Sequence, residues 1–229
     1  MERLEELYEK LIELVPDDQV DQYMACGCSV GRNYDLMDKR LLVVEKIPKA
    51  PHHDEDGCDC GYGCGEHHDH HGEHHNHHHG PLENRNLNST DFTEAIGKIS
   101  RHLLNISPNQ WPDSIAKTYL YKVAPMEGKA SPELLKRQHD LCRDILLEEI
   151  RTYDPTHILF LTGWSSVWDF DLPIYPLLKG EMVEAVGMTD NGAQVLVSRY
   201  AIRDSEDKFV ADIVSAFRSL DENADKDSR

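Results

Sequence analysis

The chain has 229 residues, of which 39% are hydrophobic and 29% charged, with a formal net charge of −18. That length supports a sizeable core. The charge argues against a broad grip on nucleic acid, because such affinity comes largely from Lys and Arg neutralising phosphates, so a nucleotide or nucleic-acid partner is disfavoured. No stretch approaches the roughly 18 consecutive apolar residues of a membrane span, and the charged opening MERLEELYEKLIEL reads as a helix, not a signal peptide. A soluble, cytoplasmic protein with no membrane partner is expected.

Leu4, Leu7, Leu11 and Leu14 recur at helical spacing, so 1–14 is predicted to be an amphipathic helix ended by Pro16. With the residues up to 40 it forms an N-terminal helical segment packed on the core. LLVVEKI at 41–47 is apolar and β-branched, the pattern of a buried strand. A biased loop, 49–90, interrupts the domain. A helix over about 90–104 follows, with Phe92, Ile96, Ile99 and Leu103 on one face. KTYLYKVA at 117–124 predicts a second strand, and Lys122 and Lys129 beside it are candidate phosphate contacts. Ser131-Pro132-Glu133 opens a long helix: Ser accepts from free amides, Pro presets the first turn and Glu complements the dipole. Its apolar face is read as Leu134, Gln138, Leu141, Cys142, Ile145, Leu146, Ile150 and Tyr153. HILFLTG at 157–163 predicts a third buried strand. VEAVGM at 183–188 and AQVLVSR at 193–199 flank Asp190-Asn191-Gly192, a hairpin signal. The last helix spans about 205–220, and 221–229 reads as a polar, disordered tail. His102, His139 and His157 are isolated and read as structural. Strands alternating with helices predict a three-layer α/β/α fold with a mainly parallel central sheet, a single domain over 41–220.

The loop carries the densest chemistry. Residues 52–79, HHDEDGCDCGYGCGEHHDHHGEHHNHHH, hold eleven His, three Cys and seven carboxylates, with no Lys or Arg. Imidazole and thiolate suit zinc, nickel, copper and cobalt, whereas an oxygen-only cluster would suit magnesium or calcium. Cys58, Cys60 and Cys64 with one His among 67–71 would make a tetrahedral set. His67, His68, His70, His71, His74, His75, His77, His78 and His79 supply further, interchangeable ligands. The expected cofactor is a zinc or nickel ion, and transition-metal ions are the expected partners, for storage, buffering or delivery on an α/β scaffold.

Outside the loop the chain resembles the uracil-DNA glycosylase superfamily. The resemblance is carried by LLVVEKIP, by KTYLYKVAP with SPELLKRQHDLCRDILLEEIRTYDPTHILFLTG, and by QVLVSRYAIRDSEDKFVADIVSAF. It implies a parallel sheet between helices, and an enzyme that flips a base and cleaves its N-glycosidic bond. Three elements depart from the family pattern. The glycine-rich, water-activating turn corresponds to Glu45-Lys46-Ile47-Pro48. The base-reading Asn falls near Thr118 or Tyr119. The His near the last strand falls on Ser198-Arg199-Tyr200. Standard uracil excision is therefore not expected. Glu45 and Arg199 are the candidates for altered catalysis, where Glu45 is alternatively a strand-end salt bridge. Tyr119, Trp164, Ser198 and Tyr200 are the candidates for substrate binding, and Trp164 and Trp168 for stacking on a base or for covering the sheet's end. Some members hold an iron–sulfur cluster on four Cys. Here Cys26 and Cys28 stand too close in sequence, Cys142 falls on the apolar face of the long helix and the remaining position is Val123, so no cluster is expected.

Overall fold

The computed structural model describes residues 2–15, 21–48, 92–170, 172, 182–199, 202 and 205–227. The donor-rich tract 52–79 and Tyr200 lie outside them. In chain order the elements are α1 (Glu2–Ile12), β1 (Tyr23–Ala25), β2 (Ser29–Val30), β3 (Leu41–Glu45), α2 (Thr93–Leu104), α3 (Trp111–Ser114), β4 (Ile115–Tyr119), β5 (Val123–Pro125), α4 (Pro132–Tyr153), β6 (His157–Leu161), α5 (Trp164–Asp169), β7 (Val183–Met188), β8 (Gln194–Ser198) and α6 (Glu206–Asp227).

Six strands form one sheet in the order β2-β4-β3-β6-β8-β7. The four central strands run parallel, and β2 and β7 are antiparallel edges. The α/β fold predicted from the sequence is the fold found. The strands are near-continuous apolar runs because both faces are covered. Leu42, Val44, Ile158, Phe160, Val195 and Val197 pack toward α1 and α4. Their alternates Leu41, Val43, Leu159, Leu161 and Leu196 pack toward α2 and α6. Ser131 caps α4 by accepting from the Leu134 amide at 3.1 Å, with Pro132 opening the first turn. Gly192, at φ +85°, makes the β7–β8 hairpin turn where Asp190-Asn191-Gly192 predicts it.

Three expectations need correction. The strand read over 117–124 leaves the sheet after Tyr119, and Val123–Pro125 pairs instead with Tyr23–Ala25 in a second, two-stranded sheet. Gln138 of α4 holds that break. Its side-chain carbonyl accepts from the amides of Lys122 (3.0 Å) and Val123 (2.9 Å), and its amide donates to the Val123 carbonyl (2.8 Å). One side chain thus satisfies buried backbone groups that a neighbouring strand would otherwise have to pair. Second, the segment before residue 40 is not only helical, since it supplies β1 and the edge strand β2. Third, the final helix does not stop at 220 but runs to Asp227. Asp221 anchors it to the sheet by accepting from Lys39, from His157 Nε2 (3.1 Å) and from Gln194 Nε2 (3.0 Å). A polar composition had masked these anchoring bonds.

Candidate functional site at the carboxyl edge of the sheet

In open parallel sheets, ligands bind beyond the carboxyl ends of the strands, where successive crossovers depart in opposite directions. Here β3 connects outward to β4, and the chain then crosses back to β6 on the other side. The switch point lies between β3 and β6. It is bordered by Glu45 to Pro48 after β3 and by Thr162, Gly163 and Trp164 after β6. Tyr119 ends β4, and Ser198 and Arg199 end β8.

The structure shows how each sequence-predicted residue is engaged. Glu45 is paired with Lys117 at 2.6 Å, in a pair that is partly exposed on the lysine side. Lys117 also lies 5.9 Å from the centroid of the Tyr119 ring. The ion pair, the alternative role for Glu45, is the one seen, and it ties the end of β3 to the middle of β4. Burial raises the Tyr119 hydroxyl above its ordinary pKa, Lys117 opposing and Glu45 reinforcing the shift. That phenol stays protonated at neutral pH, a hydrogen-bond donor and not a base. Ser198 is fully buried, and its hydroxyl lies within hydrogen-bond distance of the carbonyls of Phe160 (3.3 Å) and Arg199 (3.0 Å). It is directed to backbone and has no exposed surface in this structure. Arg199 is half-buried, its amide donating to the Met182 carbonyl at 3.2 Å.

Beyond β6 the chain turns at Gly163 (φ +77°), a conformation costly for any residue with a Cβ. The Trp164 amide then donates to Glu184 at 2.6 Å. Glu184 is the extra residue of a β-bulge in β7, where Val183 faces Ser198 and Ala185 faces Val197. Bulges re-aim side chains at sheet edges, and this one turns a carboxylate onto the first amide of α5. The Trp164 and Trp168 rings lie 6.0 Å apart, and Trp168 is 69% exposed. Trp168 is thus an accessible aromatic surface at this edge.

Beside the edge lies a buried polar knot that the sequence reading missed. Lys122, read as a candidate phosphate contact, is wholly inaccessible. Its ammonium donates to Thr118 Oγ1 (2.6 Å), the Tyr119 carbonyl (2.7 Å) and Glu149 Oε2 (2.8 Å). Three protons meet three acceptors, so the charge is consumed inside the protein. Glu149, itself fully buried, also accepts from the Thr118 hydroxyl at 2.9 Å and from the Tyr8 hydroxyl of α1. The Tyr8 hydroxyl in turn accepts from the Cys28 amide at 3.1 Å. Desolvation pushes the Cys28 thiol well above its ordinary pKa, and that of Cys142 up to about 11. Both are thiols at neutral pH, so a metal binding there would have to displace their protons. Cys142 is buried in the core, 3.2 Å from Gln138 Oε1.

Among the described residues no group of three or more His, Cys, Asp or Glu stands together as a metal site. None of their helices is long and apolar enough to cross a membrane. The fourteen-His composition is concentrated in the tract 52–79, whose predicted ligands Cys58, Cys60, Cys64 and His67 to His79 lie outside the described residues. No protein-family model matches the chain, and no curated protein matches it significantly.

Proposed function

We propose that this protein binds transition-metal ions, zinc or nickel, through residues 52–79, carried on a uracil-DNA glycosylase-like core without standard uracil excision. The observation behind the metal reading is the donor set: eleven His, three Cys and seven carboxylates in one tract free of Lys and Arg. Neutral imidazole and thiolate are borderline-to-soft ligands that favour these metals over magnesium or calcium. The tract follows Pro48, three residues beyond the end of β3, so the chain enters it from the carboxyl edge of the sheet.

Two observations support the absence of excision. Glu45 is neutralised by Lys117, so it is not a poised base, and the Ser198 hydroxyl, in the region of the family His, is directed to backbone carbonyls and does not replace that His. The exposed Trp168 favours a second reading, in which the edge retains affinity for a planar base without cleaving it.

Calorimetric titration of zinc and nickel into the full chain and into a chain lacking 52–79 tests the metal reading, with circular dichroism to monitor the fold. Saturable uptake that disappears on deletion supports it, and unchanged uptake refutes it. Uracil-containing single- and double-stranded DNA tests the second part. Robust release of uracil would mean that the catalytic positions are elsewhere than the three compared above.

A further inference from the structure

The α1/α4 face of the sheet has a gap between the carboxyl half of α4 and the β7–β8 hairpin. A cavity of about 280 Å³ opens there. Ile158 and Phe160 of β6 form its floor, and Leu147 and Ile150 of α4 form one wall. The hairpin turn precedes β8, and Ile158 stands near the start of β6. The cavity therefore sits toward the amino end of the parallel strands, away from the edge that carries Glu45 and Trp168. Protein interiors rarely leave voids much larger than a water molecule. An open apolar cavity with a few polar groups at its mouth is the usual form of a small-molecule site.

The mouth defines the ligand. Arg151 lines it, but its guanidinium is already engaged by Glu148. Asp190 lines it too, with the opposite charge. Glu148 thus balances Arg151, and Asp190 stands exposed on the turn where solvent screens its charge, so neither offers a charged head a desolvated partner. Asn191 completes the mouth; its Oδ1 accepts from the Thr189 hydroxyl, which leaves the amide hydrogens as donors. We propose that the cavity binds a small uncharged molecule with an apolar body of about a dozen non-hydrogen atoms at interior packing density and one hydrogen-bond-accepting oxygen at its end.

The test uses the full chain, kept in chelator, with methyl groups of Ile and Leu labelled for NMR. 1-Octanol, octanoate and octylammonium are the probes. Octanol should shift the Ile150 and Ile158 methyls saturably, and the two charged analogues should bind at least about tenfold more weakly, because each must desolvate an unpaired charge. Leu147→Trp fills the cavity and should abolish the octanol response. Asn191→Asp keeps the acceptor for Thr189 but removes the amide donor, and should weaken octanol about tenfold by loss of one hydrogen bond at the cavity mouth. This second variant, at an exposed turn, decides the matter if Leu147→Trp does not fold. Absence of a saturable octanol shift, equal binding of the charged analogues, or an Asn191→Asp variant with unchanged affinity would overturn the proposal.

Discussion

The polar groups of the folded core and those of the tract 52–79 are arranged on opposite principles. In the core, charge is matched at close range. Lys122 meets three acceptors, Glu45 meets Lys117, and Asp221 gathers Lys39, His157 and Gln194. In the tract, lone-pair donors accumulate with no cationic side chain among them. A matched group holds a fold together and has little left to offer a ligand. A tract of donors lacking cations is suited to an external one. The contrast separates where stability resides from where binding is proposed.

The largest effect expected from breaking the core arrangement is at Lys122. Lys122→Met leaves Glu149 buried without its cation, and stability should fall by about 3–5 kcal/mol in chemical denaturation. The double variant Lys122→Met with Glu149→Leu should recover much of that loss, because it removes both charges. A double variant as unstable as the single one would show that shape, not charge pairing, governs the site. Next comes Tyr8→Phe, which takes one donor from Glu149 and one acceptor from the Cys28 amide. About 1–3 kcal/mol should be lost, the cost of leaving buried polar groups unsatisfied. Wild-type stability in this variant would show that water replaces the hydroxyl and that α1 is not held by this bond.

Acid should loosen the anchor of α6 in two stages. Burial lowers the His157 pKa below its usual value, outweighing the opposing hydrogen bond and charge of Asp221. A histidine depressed in the folded state contributes stability that is complete above its unfolded pKa of about 6.5 and is lost as pH falls through the folded value. At Asp221 burial pushes upward, yet the bonds from Lys39 and His157 prevail and hold the carboxyl below its ordinary pKa. Its contribution is present above the unfolded value of about 3.9 and is lost on further acidification. Thermal melts in chelator should show both windows, and His157→Gln should remove the upper one. A melt unaffected by this substitution between neutrality and the lower window would contradict the assignment.

The smallest effect is expected at the carboxyl edge. Glu45→Gln should cost no more than about 1 kcal/mol, the usual worth of a partly exposed ion pair. A much larger loss would mean that Glu45 does more than join β3 to β4.

Much of the sheet is legible in the sequence because burial on both faces leaves a continuous apolar run, as in LLVV of β3 and HILFL of β6. The cap Ser131-Pro132 and the turn at Gly192 are legible for a local reason, since each is specified by residues within a few positions. The break after Tyr119 is not, because its cause is Gln138, about twenty residues away in sequence and on another element. Glu149 left a trace that the apolar reading passed over. It continues the buried stripe of Gln138, Cys142 and Ile145 at helical spacing, so a charged residue there implies a buried partner. The bulge at Glu184 has no sequence signal at all, because it depends on the register with β8. The tract 52–79 is the reverse case: its chemistry is read wholly from composition.

The central claim, that the tract and not the core binds metal, is tested most directly by zinc calorimetry at pH 7.5 on the full chain and on the chain lacking 52–79. Saturable uptake by the full chain should weaken as pH drops below about 6.5, where imidazole protonates. The deleted chain should take up essentially no zinc while keeping its circular dichroism spectrum and its melting temperature. Equal zinc stoichiometry in both chains would contradict the account and direct attention to Cys26 and Cys28.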